Sequence, residues 1–371
     1  MDFKITRFGD FAVFKYGKMP KKSEIKENGK YPIYSGYRYV GYYDDYNTEA
    51  NQLIIVARGV GGTGDVKLTK ERCYLTNLSI SAQIDESVVL PQYLYYYFSL
   101  RNLRYLDSGS AQSQITISDL EKVEIPLPNI ESQMRIVDCL SMLDYKIRTN
   151  EMINNNLEQQ AQAIFENEFL SLQSLPDGWK LASLIDIADY LNGLAMQKYR
   201  PSTDEIGIPV LKIKELRQGC CDDNSEFCSP SIKSDYIIHD GDVIFSWSGS
   251  LLVDFWCGGI CGLNQHLFKV SSNKYDKWFY YAWTKHHLDR FIAVAADKAT
   301  TMGHIKRDEL AKAEVLIPNE ADYNRIGALL QPIYDLIIAN RIENKKLAET
   351  RDTLLPKLMN GEIDISEVDY E

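Results

Sequence analysis

Long apolar runs are missing from this chain of 371 residues. No window approaches the roughly 20 apolar residues that span a bilayer, and the opening Met1-Asp2-Phe3-Lys4-Ile5 lacks the apolar stretch of a secretory signal. A cytoplasmic protein without a membrane partner is therefore expected. Cysteine is sparse: seven residues, an odd number spread over a long chain, do not make a disulfide framework. Cys220, Cys221, Cys228, Cys257 and Cys261 never take the CxxC spacing of a zinc site, so neither metal nor cofactor is expected. The five histidines (His239, His266, His286, His287 and His304) stand in no pattern with a nucleophile or carboxylate, and catalysis has no visible home. The glycine-rich run Ala57-Arg58-Gly59-Val60-Gly61-Gly62-Thr63-Gly64-Asp65 lacks the Lys and Ser or Thr of a phosphate loop, and Asp65 would repel phosphate. An excess of positive charge is also missing. The net charge of -11 argues against tight binding to a polyanion, although the tail Glu362, Asp364, Glu367, Asp369 and Glu371 holds part of it. Any affinity of the isolated chain for DNA should be weak.

What is present is ordinary for a folded chain, with 45% hydrophobic and 25% charged residues. The length exceeds one core, so two or more domains are expected. The chain is also written twice. Lys122-Val123-Glu124-Ile125-Pro126-Leu127-Pro128-Asn129 matches Lys312-Ala313-Glu314-Val315-Leu316-Ile317-Pro318-Asn319 at an offset of 190, with four of eight positions identical. The same offset carries Leu120, Arg135, Ile136, Ile147, Asn150, Asn154 and Leu157 onto Leu310, Arg325, Ile326, Ile337, Asn340, Asn344 and Leu347. Phe3-Lys4-Ile5 matches Trp179-Lys180-Leu181 at 176, so the second copy has gained 14 residues in between. Similar helical ends around dissimilar middles point to one scaffold presenting two surfaces.

Ile136, Leu140, Leu143, Ile147, Asn150, Asn154, Leu157, Ala161 and Ile164 step by four and three, the seam of a coiled coil. Ile326, Leu330, Ile333, Ile337, Asn340, Asn344, Leu347, Arg351, Leu354 and Leu358 repeat it. An antiparallel pair would set Asn150 against Asn344 and Asn154 against Asn340, each amide satisfying another, a device that fixes register. The first seam, at ~1.5 Å per residue, makes a rod of roughly 42 Å, against about 34 Å for one turn of DNA.

The expected fold is α+β: two similar mixed domains, residues 1–128 and 176–318, separated by an antiparallel coiled-coil pair from 129–175 and 319–371, related by a pseudo-twofold repeat. Short β-rich runs such as Leu53-Ile54-Ile55-Val56 and Asp242-Val243-Ile244-Phe245 alternate with Gly, Asn and Asp turns. The aromatic runs Tyr93-Leu94-Tyr95-Tyr96-Tyr97-Phe98 and Trp278-Phe279-Tyr280-Tyr281 read as helical core. Arg58, and Ser248 within Ser246-Trp247-Ser248-Gly249-Ser250, sit on turns after strands. Ser110, Gln112 and Gln114 in one half, and Lys298, Thr300, Thr301, Lys306 and Arg307 in the other, fill a second pair of polar loops. Gln pairs bidentately with adenine, Ser and Thr bond most base edges, and Lys and Arg hold phosphates, so these ten residues are the candidate DNA contacts.

Several motifs then resemble the specificity subunits of type I restriction-modification systems. They are Ile115-Thr116-Ile117-Ser118-Asp119-Leu120 running into Ile125-Pro126-Leu127-Pro128, and Ile305-Lys306-Arg307-Asp308-Glu309-Leu310 running into Ile317-Pro318. Tyr31-Pro32-Ile33-Tyr34-Ser35-Gly36, Gly241-Asp242-Val243-Ile244, Asn264-Gln265-His266 and the stretch Leu354-Leu355-Pro356-Lys357-Leu358-Met359-Asn360-Gly361-Glu362-Ile363 add to it. The resemblance implies a non-catalytic subunit. Its two recognition domains each read half of a bipartite site in double-stranded DNA, and its helices bind two methyltransferase subunits, with restriction and translocase subunits as further partners. The chain has neither an Asn-Pro-Pro-aromatic tetrad nor a glycine fingerprint for a methyl donor, which fits that division of labour. In the first half the counterpart of Asn264-Gln265-His266 reduces to Asn77. Competing readings are an enzyme with an unfamiliar site and a coiled-coil adaptor that never touches DNA.

Overall fold

Each half of the chain is closed by a two-stranded antiparallel ribbon between its own ends. Lys4–Arg7 pairs with Glu124–Leu127, Lys4 opposite Leu127, and Lys180–Ser183 pairs with Glu314–Ile317, Lys180 opposite Ile317. The alternation is that of a half-buried strand: Ile125 and Leu127 point into one core and Val315 into the other, while Glu124 and Glu314 stay in solvent. The computed structural model describes residues 2–36, 38–59, 62–107, 114–297 and 307–365. It comprises two compact units, one of residues 1–144 with 349–371 and one of residues 145–348.

Both units use the same strand order. In the first, Ala12–Tyr16, Ser79–Ile84, Leu53–Val56 and Val66–Leu68 lie side by side; in the second, Asp189–Asn192, Leu267–Ser271, Val243–Ser246 and Leu252–Phe255 do. All these neighbours are antiparallel. A smaller sheet sits beside each, built on a parallel pair, Tyr31–Ser35 with Tyr74–Leu75 and Ile208–Leu211 with Cys261–Leu263. Where the chain passes between the two sheets it leaves no room for a side chain. A Cβ on Gly17 would stand 2.3 Å from the Thr76 carbonyl oxygen, and one on Gly193 2.3 Å from that of Asn264, so both positions require glycine. The residues gained by the second half fall in this smaller sheet. Ser35 is separated from the next strand, Arg38–Tyr43, only by Gly36 and Tyr37, whereas Leu211 is followed by Lys212–Glu226, with a short helix Ile213–Gln218, before Phe227–Cys228.

The aromatic runs form helices Pro91–Leu100 and Lys277–His286, which bury Tyr93, Tyr96, Tyr97 and Phe98 in one core and Trp278, Phe279, Tyr281 and Trp283 in the other. The chain is a mixed α/β protein, and among the described residues no helix is long and apolar enough to cross a membrane.

Two long helices, Ile130–Phe165 and Glu320–Met359, start at equivalent asparagines. Asn129 Oδ1 accepts the Ser132 N–H at 2.8 Å, and Asn319 Oδ1 accepts the Asp322 N–H at 2.9 Å, the side-chain N-cap that an Asn after proline favours. None of the heptad-spaced seam positions is exposed. In the second unit Asn150 Nδ2 donates to Asn344 Oδ1 at 2.8 Å, and Asn340 Nδ2 donates to Asn154 Oδ1, also at 2.8 Å. The remaining amides reach backbone, Asn154 to the Ile337 carbonyl and Asn344 to the Ile147 carbonyl. Since 150 and 154 map onto 340 and 344, and Ile147 onto Ile337, each of these four bonds has its twin, while Asn150 also donates to Glu343 at 2.6 Å. In the first unit Arg351, at a seam position, donates to Asp144 at 2.7 Å, and Asp144 also accepts from Tyr96.

His287 illustrates how tightly the second core is packed. Its ring is buried against Trp283 and Phe291, and its Nε2 donates to the Glu314 carbonyl at 2.7 Å. Burial lowers its pKa to about 4, with the Glu314 bond opposing the shift and the neighbouring His286 and Arg290 adding to it. The unfolded chain takes up this proton first as pH falls below about 6.5, so the contribution is whole above that pH and declines towards 4. Stability of the second unit should fall by about 1–2 kcal/mol between pH 7.5 and pH 5, after allowance for partial screening. His287→Gln, which keeps an N–H donor, should flatten that slope; a wild-type denaturation midpoint that does not move over this range would contradict the assignment.

Candidate functional site

The two large sheets end at equivalent turns, and backbone hydrogen bonds fix the correspondence. Ala57 and Arg58 N–H donate to the Leu78 carbonyl, as Trp247 N–H does to the His266 carbonyl. Ser79 N–H bonds the Thr76 carbonyl as Leu267 N–H bonds that of Asn264. Thr76 therefore occupies the place of Asn264, and Asn77 that of Gln265, one position away from the sequence match. The exchange is physically simple: the Thr76 hydroxyl accepts the Leu78 N–H where Asn264 Oδ1 accepts the His266 N–H, two side chains capping the same turn.

In the first unit the described ends of the glycine-rich run join two antiparallel strands, with Val56 N–H donating to the Asp65 carbonyl and Gly64 N–H to the Val56 carbonyl, both at 2.9 Å. A phosphate loop would instead enter a helix. The structure brings Arg58 and Gln114 together as an antiparallel bridge, with Ile115 N–H donating to the Ala57 carbonyl at 2.9 Å. Gln114 N–H also bonds Asp107 Oδ1 at 3.1 Å. Arg58 Nε is buried and has no hydrogen-bond partner among the described residues.

In the second unit the corresponding turn carries different chemistry. The Ser246 hydroxyl donates to the Ser250 carbonyl at 2.8 Å and shapes the turn. Ser248 is 2% exposed, and its hydroxyl is engaged with His266 Nδ1 at 3.1 Å. Trp247, half-buried, stacks on Phe268 and donates to Asn192 Oδ1 at 3.0 Å, while Gln265 lies against His266 Nε2 at 3.4 Å. Arg307 is exposed and donates to the Tyr190 carbonyl at 3.2 Å. Ser110, Gln112, Lys298, Thr300, Thr301 and Lys306 lie outside the described residues. Asn192 and Trp247 carry no motif in the sequence; the only local signal for the latter is an aromatic residue between two serines on a predicted turn.

The acidity of the chain is unevenly placed. Residues 1–128 hold sixteen Lys and Arg against fifteen Asp and Glu, and residues 176–318 hold sixteen against nineteen. Most of the net charge of -11 thus belongs to the long-helix segments and the tail, and both globular regions are close to neutral.

A family model described as the type I restriction modification DNA specificity domain matches residues 1–159 and, a second time, residues 176–349. The chain belongs to this family. Within it, the specificity subunit of the MjaIX type I restriction enzyme of Methanocaldococcus jannaschii is 27% identical over 322 residues, covering 79% of this chain and 74% of that one. The MjaVIII specificity subunit of the same organism is 21% identical over 415 residues, covering all of this chain and 95% of the relative. Among solved structures, the S subunit of a type I restriction-modification system from M. genitalium superposes with a TM-score of 0.65 at 18% identity, covering 96% of each chain, and shares the fold. The specificity-subunit family is the non-catalytic one of its systems, and its members work with other subunits that carry the chemistry. Among the described residues no group of three or more His, Cys, Asp and Glu is placed to hold a metal ion.

Proposed function

We propose that this chain selects the DNA sequence on which a type I restriction-modification complex acts, each recognition domain reading one half of a bipartite target in double-stranded DNA. The observation that carries this reading is the pairing of one strand order, used twice, with unlike chemistry at the equivalent turns: Arg58 and Gln114 in one unit, Trp247, Gln265 and His266 in the other. A scaffold repeated with different tips suits two different half-sites, and near-neutral globular regions remove the charge objection to DNA.

In this reading the long helices pair antiparallel in a coiled coil about a pseudo-twofold axis, and their length sets the gap between the half-sites. The twinned asparagine bonds support it, because two amide pairs related by the repeat tolerate no shift of register. The helices also carry modification subunits. Met142, Tyr145 and Met152 are exposed at spacings of three and seven along the first helix, and Leu329 and Leu336 at seven along the second, so each helix leaves an apolar stripe in solvent. An adaptor reading without DNA contact has no comparable support.

The test is methylome sequencing of cells with and without the gene, in the presence of the cognate modification subunit. A methylated motif of two defined halves and a fixed gap should appear only with the gene. Identical methylomes beside an active modification subunit would overturn the reading.

A further inference from the structure

The stretch from Leu211 to Glu226 is longer than its equivalent from Tyr34 to Gly41 in the first unit, and its helix Ile213–Gln218 has no counterpart there. What the two halves share, strand order and helix caps, is built without this segment, so it serves whatever distinguishes the second half from the first. Its position is informative. Ile213 Cδ1 lies 3.8 Å from where a Cβ on Gly249 would be, and Ile213, Lys214, Arg217, Gln218 and Ser250 line one open cavity of about 650 Å³. The inserted helix therefore flanks the turn that ends the large sheet.

The charges on the insertion are almost all spent internally. Lys212 pairs with Glu226, which also takes Arg200, and Lys214 pairs with Asp222 at 2.8 Å. Gln218 donates to the Cys220 carbonyl and to Asp222. Arg217 alone among the cations of this segment is exposed and without a partner among the described residues. In the first unit the turn itself supplies the arginine, Arg58; in the second the equivalent residue is Ser248, buried under His266, and Arg217 restores a guanidinium beside that turn.

We propose that Arg217 is a specificity-determining residue of the second recognition domain, its guanidinium donating to the paired acceptors on the major-groove edge of a guanine in the half-site that this domain reads. The proposal rests on the function proposed above. A planar fork with two parallel N–H groups matches guanine O6 and N7, and the flexible point charge of an ammonium holds that geometry less firmly. Phosphate holding is a need common to both halves, whereas an arginine carried on a segment found in one half fits sequence reading.

The experiment expresses the full-length wild type, Arg217→Ala and Arg217→Lys with the modification subunit and sequences the methylome. The wild type should give a two-part motif. Both variants should relax one guanine position in one half, with at least about a tenfold loss of preference there, and leave the other half intact. Preference unchanged in both variants would overturn the inference, and so would a uniform loss across the motif that Arg217→Lys restores, the signature of a phosphate contact. Failure of the wild type itself to impart a two-part motif would instead defeat the proposed function. Thermal melting of each complex, expected unchanged because Arg217 is exposed and makes no hydrogen bond or ion pair among the described residues, separates lost reading from lost folding.

Discussion

Replacement of residues 1–128 by the corresponding domain of a relative is expected to exchange one half of the methylated motif and to leave the other half untouched. Physically the junction is a good one. The ribbon Lys4–Arg7 with Glu124–Leu127 closes the domain on its own ends, and the cut falls between Pro128 and the Asn129 cap of the long helix. The graft still has to fit the helices, because Val89, Tyr93, Leu94 and Leu120 share one core with Ile136, Leu140, Leu355 and Leu358. Gln133, fully buried, tightens this fit: its Nε2 donates to the Val88 and Pro128 carbonyls, and its Oε1 accepts the Leu90 N–H at 3.0 Å. A donor that keeps an apolar residue at position 89 and the same backbone path past it should therefore fold. Methylation at sites carrying the old half should drop to background while the new half takes over. A change in both halves would show that the domains do not read independently.

Arg341→Ala should be the most damaging single change away from the apolar cores. Arg341 projects from the second long helix and binds two carboxylates, Asp254 of strand Leu252–Phe255 at 2.7 Å and Glu158 of the first long helix at 2.9 Å. Burial disfavours its charge, yet Asp254 and Glu158 outweigh that and hold its pKa above the ordinary arginine value. Removal leaves both carboxylates without the cation, Glu158 keeping only Lys285 at 3.8 Å. A fully buried pair broken in this way costs about 3–5 kcal/mol and an exposed one about 1 kcal/mol or less. Since the three side chains keep 27%, 27% and 34% of their exposure, about 2–3 kcal/mol is expected for the second unit. Arg341→Lys should recover part of it, because an ammonium reaches one carboxylate but does not span both. Denaturant midpoints at unchanged slope would measure this, and a loss below about 0.5 kcal/mol for the alanine variant would mean that the trio acts only as a surface pair.

The two expected losses arise from different kinds of contact, and they were not equally visible beforehand. The aromatic helices follow from the runs Tyr93–Phe98 and Trp278–Tyr281, as their composition implies, and the caps at Asn129 and Asn319, equally local, come to light only in the structure. The family resemblance rested on local motifs, repeated in register, and the double match to the family model agrees with it. The trio of Arg341, Asp254 and Glu158 joins three elements and has no local signature. The same is true of Ser248, a polar residue on a predicted turn that proves buried against His266, and of the correspondence between Thr76 and Asn264, which the letters alone placed one residue away.

The sequence by itself determined the duplication, the heptad seams with their asparagines, the closing motifs of each half and hence the family, because each is written in spacings of a few residues or in one constant offset. Only the tertiary structure decided which turn residues stand together, that the extra residues of the second half flank its terminal turn, and that Arg217 alone among their cations has no partner among the described residues. Those outcomes depend on which strands become neighbours and on which charges neutralise each other across distant segments, and that choice is made by packing of the whole chain rather than by any stretch of it.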